Sequence, residues 1–101
     1  QLISDALLLQ KTGVFAIVLE CVKTGIAKQI TKNLKIPTIG IGSSVNCDGQ
    51  VLVTDDLIGL NQTNIKFVKK FLNVKKYISL GIKKFASDVR SKKYPSKKHS
   101  Y

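Results

Sequence analysis

The stretch Ile39-Gly40-Ile41-Gly42-Ser43-Ser44-Val45-Asn46-Cys47-Asp48-Gly49-Gln50-Val51-Leu52-Val53 decides how the chain is read. Two short apolar segments flank a loop of small and polar residues, the pattern of two strands joined by a turn. Pro37 opens the first of them, Thr38 to Gly42, and the second runs from Gln50 to Val53. Upstream, Val14-Phe15-Ala16-Ile17-Val18-Leu19 is continuously apolar, as in a parallel-sheet strand buried on both faces, and Glu20 ends it.

Between these strands, residues 24–34 place Ile26, Ala27, Ile30 and Leu34 on one helical face with Lys28 and Lys32 outward. A first helix over 2–11 carries Leu2, Ile3, Ala6, Leu7 and Leu9 and stops before Gly13. Toward the C-terminus, Phe67, Phe71, Val74, Ile78, Ile82, Phe85 and Val89 recur at steps of three and four. They predict one amphipathic helix, or two broken near Gly81. Residues 91–101 are polar and basic around Pro95 and read as a tail, which leaves 1–90 as the α/β body. Buried strands alternating with outer helices indicate an α/β fold. Three such strands leave open sheet edges.

The 101 residues carry a net charge of +11, with five lysines in 1–50 against eleven lysines and Arg90 in 51–101. This leaves two readings, a solvated outer helix face or an anion-binding patch for nucleic acid or an acidic membrane. The aromatics of the basic half fall on the apolar stripe of the helix and form no recognition motif with the lysines, and a single arginine is poor equipment for bidentate phosphate or base recognition. No apolar run approaches the about 20 residues of a membrane span. Cys21 and Cys47 lack metal-ligand spacing and read as reduced thiols of a cytoplasmic protein. Asn61-Gln62-Thr63 matches a glycosylation sequon, which has no meaning in that compartment. The chain opens at Gln1 within a helical pattern and is expected to be a portion of something longer.

Glu20 is the leading candidate for chemistry. It ends six apolar residues and so stands at the carboxyl mouth of a buried strand, where α/β folds place their active sites. Desolvation at such a mouth makes a carboxylate more basic and suited to removing a proton. The alternative is a strand-end glutamate paired with a lysine. Gly40, Gly42, Ser43 and Ser44 form a small-residue strand end, fit either for close approach of a ligand or for tight packing at a turn. Asp48-Gly49 suits a turn with positive φ. Asp55 and Asp56, read as adjacent strand residues, would point to opposite faces and so share no ion. His99 lies in the tail without a partner nearby in sequence, and neither a complete triad nor a three-ligand metal cluster is discernible.

Taken together, these motifs resemble the ketopantoate hydroxymethyltransferase family. The likeness runs through Asp5-Ala6, Gly13, Val18-Leu19-Glu20-Cys21-Val22, Ile36-Pro37-Thr38-Ile39-Gly40-Ile41-Gly42, Cys47-Asp48-Gly49-Gln50-Val51-Leu52-Val53, Gly59, Lys66-Phe67-Val68-Lys69 and Tyr94-Pro95 with His99-Ser100-Tyr101. The resemblance implies a (β/α)₈ barrel of which this chain supplies about the last three strands with their outer helices. It also implies hydroxymethyl transfer from 5,10-methylenetetrahydrofolate to 3-methyl-2-oxobutanoate, giving 2-dehydropantoate for pantothenate and coenzyme A. Glu20 would be the general base, and Gly40, Gly42, Ser43 and Asp48 would lie near the substrate. The Mg²⁺ ligands are expected on strands before residue 1, so none is expected here. A homo-oligomer, commonly a decamer, is implied as well.

Several positions depart from the family pattern. Lys23 replaces a proline, Ser44 a glycine of a Gly-Ala-Gly loop, Asp55 a histidine and Lys98 a glutamate. The competing readings are an inactive remnant of that enzyme and a basic nucleic-acid-binding module.

Overall fold

A computed structural model describes residues 1–62 and 64–101, so Thr63 of the sequon lies outside the described residues. The chain forms two compact units, the first built from Gln1–Val53 with Asn64–Lys69 and the second from the other described residues.

The first unit begins with α1 (Leu2–Lys11), β1 (Ile17–Glu20), α2 (Thr24–Asn33), β2 (Thr38–Ile41) and β3 (Gly49–Gln50). Asp5 in the first turn of α1 and Lys11 in its last turn complement the helix dipole. The helix stops at Thr12, and Gly13 takes φ +91°, a region that a residue without Cβ enters freely. After α2, Leu34 is already extended, as the approaching Pro37 favours. The Gln10 side chain accepts the Lys35 N–H at 2.6 Å and so joins the end of α1 to the entry of β2.

The sheet is parallel in the order β1-β2-β3, with Ile17 opposite Thr38, Glu20 opposite Ile41 and Ile39 opposite Gly49. This register puts Ile17, Leu19, Thr38 and Gly40 on one face. Ile17 and Leu19 form the core with Ala6, Ala27, Ile30 and Cys47, and Ile3, Val22, Ile26 and Leu34 pack around it. The helical face read from residues 24–34 is therefore the one that is buried. The other face carries Val18, Glu20, Ile39 and Ile41, and Val18 is 60% exposed. The expectation of strands buried on both faces is corrected accordingly: both helices cover one side, while on the other Val18 and Glu20 are exposed and Ile39 and Ile41 are half-buried.

Residues 42–48 return the chain from the end of β2 to the start of β3 without a helix. Parallel neighbours usually need a crossover of a dozen or more residues. The shorter path is possible here because the return presses directly on the sheet. A Cβ at Gly40 would lie 2.8 Å from Gln50 Oε1 and 3.1 Å from Cys47 Sγ. Gln50 also donates to the Ser44 carbonyl at 2.7 Å, fastening the return to the strand it delivers. The third strand is shorter than its apolar run predicts. Only Gly49 and Gln50 pair with β2, and Val51 adds one N–H to the Gly40 carbonyl at 3.0 Å.

In the second unit, α3 (Thr54–Leu57) is a single turn that the sequence reading missed, and α4 (Val74–Arg90) is the long amphipathic helix. It starts seven residues later than the apolar spacing predicts and runs unbroken through Gly81. Asn73 sets the start, its side chain accepting the Lys76 N–H at 3.2 Å. Residues 67–73 are not helical. At the other end, Lys92 takes φ +56° while its N–H reaches Val89 and the Lys93 N–H reaches Asp88. These are the bonds that close a helix through a left-handed residue. No residue of α4 is buried, and Tyr77, Ile78, Ile82, Phe85 and Val89 are exposed. The basic tail folds back locally, with Tyr94 edge-on to Phe85 at 5.5 Å and Ser96 Oγ 2.8 Å from His99 Nδ1.

Candidate active site

Glu20 is the last residue of β1, at the carboxyl end of the parallel sheet. It is exposed, so the desolvation expected at a strand mouth is not a property of this chain. Glu20 lies on the side of β1 away from the two helices, the same side as the exposed Val18. With Leu2, Leu9, Val18 and Val22 it lines a hollow of 250 Å³ along the free edge of β1.

The turn that carries Glu20 is held on both sides. The Cys21 N–H donates to the Ile41 carbonyl at 2.9 Å. Ser43 Oγ donates to the Leu19 carbonyl at 2.5 Å and accepts the Val22 N–H at 3.0 Å. Thr24 Oγ1 donates to the Ser43 carbonyl at 3.1 Å. Within this frame Cys21 adopts φ +53°, a left-handed conformation that is unusual for a residue with a side chain. Such conformations cost about 1–3 kcal/mol and persist only where the surroundings enforce them. No local pattern signals this clamp, because residues 19, 22 and 43 meet only once the sheet has formed.

Beside the turn, Cys21, Lys23, Thr24, Gly42, Lys66 and Phe67 border an open cleft of 450 Å³. The room beside Gly42 is occupied by the chain itself: at φ +61°, a Cβ there would lie 2.6 Å from Cγ of Phe67. Both strand-end glycines thus admit close neighbours from their own chain, Gln50 and Cys47 at Gly40 and Phe67 at Gly42.

Asp48 stands elsewhere. It precedes β3 and accepts the N–H and the hydroxyl of Thr38, the first residue of β2, at 2.8 and 3.1 Å. It is therefore at the amino end of the sheet, the opposite end from Glu20. The Thr38 N–H, then the Thr38 hydroxyl, hold its carboxyl below the usual range. Thr31 extends the group, its hydroxyl 2.8 Å from that of Thr38.

Asp55 and Asp56 belong to the helical turn α3, not to a strand. Asp56 is buried and accepts from Asn61 Nδ2 at 3.0 Å, while the backbone carbonyl of Asp55 receives Leu60 and Asn61. No three His, Cys, Asp or Glu side chains among the described residues are grouped so as to hold a metal ion.

The family model described as ketopantoate hydroxymethyltransferase matches residues 1–97. The chain belongs to this family. Relatives named 3-methyl-2-oxobutanoate hydroxymethyltransferase include that of Pelagibacter ubique, 58% identical over 100 residues, covering 99% of this chain and 39% of the relative. That of Carboxydothermus hydrogenoformans is 45% identical over 102 residues, covering 100% and 37%. That of Francisella tularensis is 46% identical over 101 residues, covering 99% and 38%. The chain thus spans less than two fifths of the length of these hydroxymethyltransferases. No helix among the described residues is long and apolar enough to cross a membrane.

Proposed function

We propose that this chain is the part of a hydroxymethyltransferase that carries the proton-abstracting carboxylate, Glu20. The reaction adds the one-carbon unit of 5,10-methylenetetrahydrofolate, with one water, to 3-methyl-2-oxobutanoate and yields 2-dehydropantoate and tetrahydrofolate. The observation that carries this reading is the seat of Glu20: the terminal residue of a parallel strand, in a chain that the family model covers over residues 1–97. The carboxylate takes the C3 proton, whose loss leaves the enolate that attacks the one-carbon donor. The neighbouring turn holds the backbone on either side of Glu20, so the base is presented from a fixed point.

The parallel order, the two helices on one face and the exposed residues of β1 on the other support placing these strands in a (β/α)₈ barrel, with Val18 and Glu20 facing its interior. Magnesium, the folate site and the substrate's remaining contacts would then belong to residues outside this chain. Cytoplasmic location and assembly into a homo-oligomer accompany the same reading.

The test is proton exchange at C3 of 3-methyl-2-oxobutanoate, read by NMR in deuterated buffer. The enzyme is a chimaera in which this chain replaces the matching region of the Pelagibacter ubique relative. Exchange that is lost with Glu20→Gln supports the base, and exchange indifferent to that change overturns it. A second reading, a chain without turnover of its own, is favoured by its spanning 39% of the Pelagibacter ubique relative's length. Product formation by the 101-residue chain alone would overturn that reading.

A further inference from the structure

We propose that the cleft bordered by Lys23 and Lys66 takes the glutamyl carboxylates of the folate donor and favours donors with several γ-glutamyl units. The inference rests on the hydroxymethyltransferase reading. The cleft, 450 Å³ in volume, opens where β1 and β2 end, with Cys21 and Val22 from one strand's exit and Gly42 and Ser43 from the other's. Ligands of open α/β sheets bind beyond the carboxyl ends of the strands. Glu20 immediately precedes Cys21 at this end.

The lining contains two lysines and neither aspartate nor glutamate. Lys23 leads into α2, and Lys66 belongs to the Asn64–Lys69 segment of the first unit, so the two cations come from separate stretches of chain. Both are exposed at the rim. Phe67 supplies an aromatic wall, seated where a Cβ on Gly42 would otherwise go. A ring followed by several carboxylates matches this lining. The p-aminobenzoyl-glutamate portion of a folate has that order, and each further γ-glutamyl unit adds one carboxylate. The 2-oxo acid substrate has a single carboxylate and no ring.

Lys66 is part of the pattern shared with the family, whereas Lys23 stands where that pattern has proline. Hydroxymethyl transfer as such therefore does not depend on Lys23. A second cation beside Lys66 instead changes the choice among donors, favouring the longer anionic tail. The exchange is easily reversed, because Lys23 has φ −51°, within proline's range. Lys23→Pro removes the ammonium group without straining the entry to α2.

Binding is read in this chain by NMR titration with p-aminobenzoyl-triglutamate and p-aminobenzoyl-glutamate at low salt. The expected result is movement of the Thr24, Gly42 and Lys66 amides and an affinity about fivefold higher for the triglutamate, the upper range for an exposed ion pair. Lys23→Pro should remove that advantage, and so should raised salt. The second unit's hollow of 780 Å³, with Lys70, Lys75 and Lys76, is an internal control for non-specific attraction. Equal affinities, an advantage that survives Lys23→Pro, shifts confined to that hollow, or an absence of binding would each overturn the proposal.

Preference during turnover is read in the chimaera as the ratio of KM for monoglutamyl to KM for triglutamyl 5,10-methylenetetrahydrofolate. Lys23→Pro should lower this ratio about fivefold. An unmoved ratio overturns the preference while leaving Glu20 as base. Exchange at C3 is measured without folate, so exchange that ignores Glu20→Gln overturns the base alone. A folded chimaera that forms no 2-dehydropantoate from either donor overturns the hydroxymethyltransferase reading and this inference with it.

Discussion

The Asp48 carboxylate accepts two hydrogen bonds from Thr38, from the backbone N–H at 2.8 Å and from the hydroxyl at 3.1 Å, and that hydroxyl accepts the Asp48 N–H at 3.4 Å; Thr38 is fully buried while Asp48 is exposed. The pair pins the start of β3 to the start of β2 across the return. Because these bonds favour the ionised carboxyl, its value is lower folded than unfolded. The stability it contributes is therefore present above the unfolded value and lost as pH falls through the folded one. The urea midpoint of the chain should fall as pH drops below the ordinary carboxylate range, and Asp48→Asn should flatten part of that slope. An identical slope in the variant would show that other carboxylates set it.

Gly42 is expected to tolerate no side chain. A Cβ would meet Phe67 at 2.6 Å and would sit at φ +61°. Overpacking costs about 1–3 kcal/mol, and a left-handed L-residue adds about 1–2 kcal/mol. Phe67→Ala should relieve the first contribution and leave the second. A urea-denaturation cycle of the two changes should therefore give a coupling of about 1 kcal/mol or more. Zero coupling would mean that Phe67 does not rest on Gly42 in solution.

Cys21 separates two backbone effects by sign. Glycine there would shed the about 1–2 kcal/mol left-handed penalty but add about 0.5–1 kcal/mol of unfolded-chain freedom. Cys21→Gly should thus be neutral or stabilising by up to about 1 kcal/mol. Valine, branched at Cβ, should cost about 1–3 kcal/mol. Thermal melts of the two variants would order them, and a valine variant as stable as the glycine one would contradict the observed φ.

Among the described residues the apolar stripe of α4 is largely exposed, with Ile82 62% and Phe85 56% exposed. Removing exposed apolar groups changes stability little, usually within about 0.5 kcal/mol. Ile82→Gln should leave the denaturation midpoint nearly unchanged while reducing binding of an apolar dye. A large loss of stability would show instead that the stripe is buried in solution.

What was legible in the sequence follows from which interactions are local. The apolar runs ending at Glu20 and Gly42 announced β1 and β2, and the helical spacing of Ala27 and Ile30 announced the buried face of α2. The third strand misled because Val51, Leu52 and Val53 are apolar without a partner strand to pair them. The start of α4 misled because Phe67 and Phe71 fall on the helix's spacing by coincidence. The capping residue Asn73 was the better signal, and it lay in plain view.

The site was legible in one residue only. A carboxylate closing an apolar run is a sequence feature, whereas its exposure depends on what covers the sheet. The Ser43 clamp and the Asp48–Thr38 pair join positions 24 and 10 residues apart. No local pattern encodes such contacts, and they place Ser43 and Asp48 at opposite ends of the strands they serve.

The helix-free return over residues 42–48 carries a consequence for the order of assembly. Its closure is among the shortest open to parallel neighbours, so β2 and β3 can meet at a smaller loop-entropy cost than β1 and β2, which must wait for α2. The β2–β3 corner, fastened by Gln50 and Asp48, would then form the folding nucleus, and the turn bearing Glu20 would be completed last. Substitutions at Gln50 should slow refolding, whereas those at Ser43 should chiefly hasten unfolding, a division that stopped-flow kinetics can resolve.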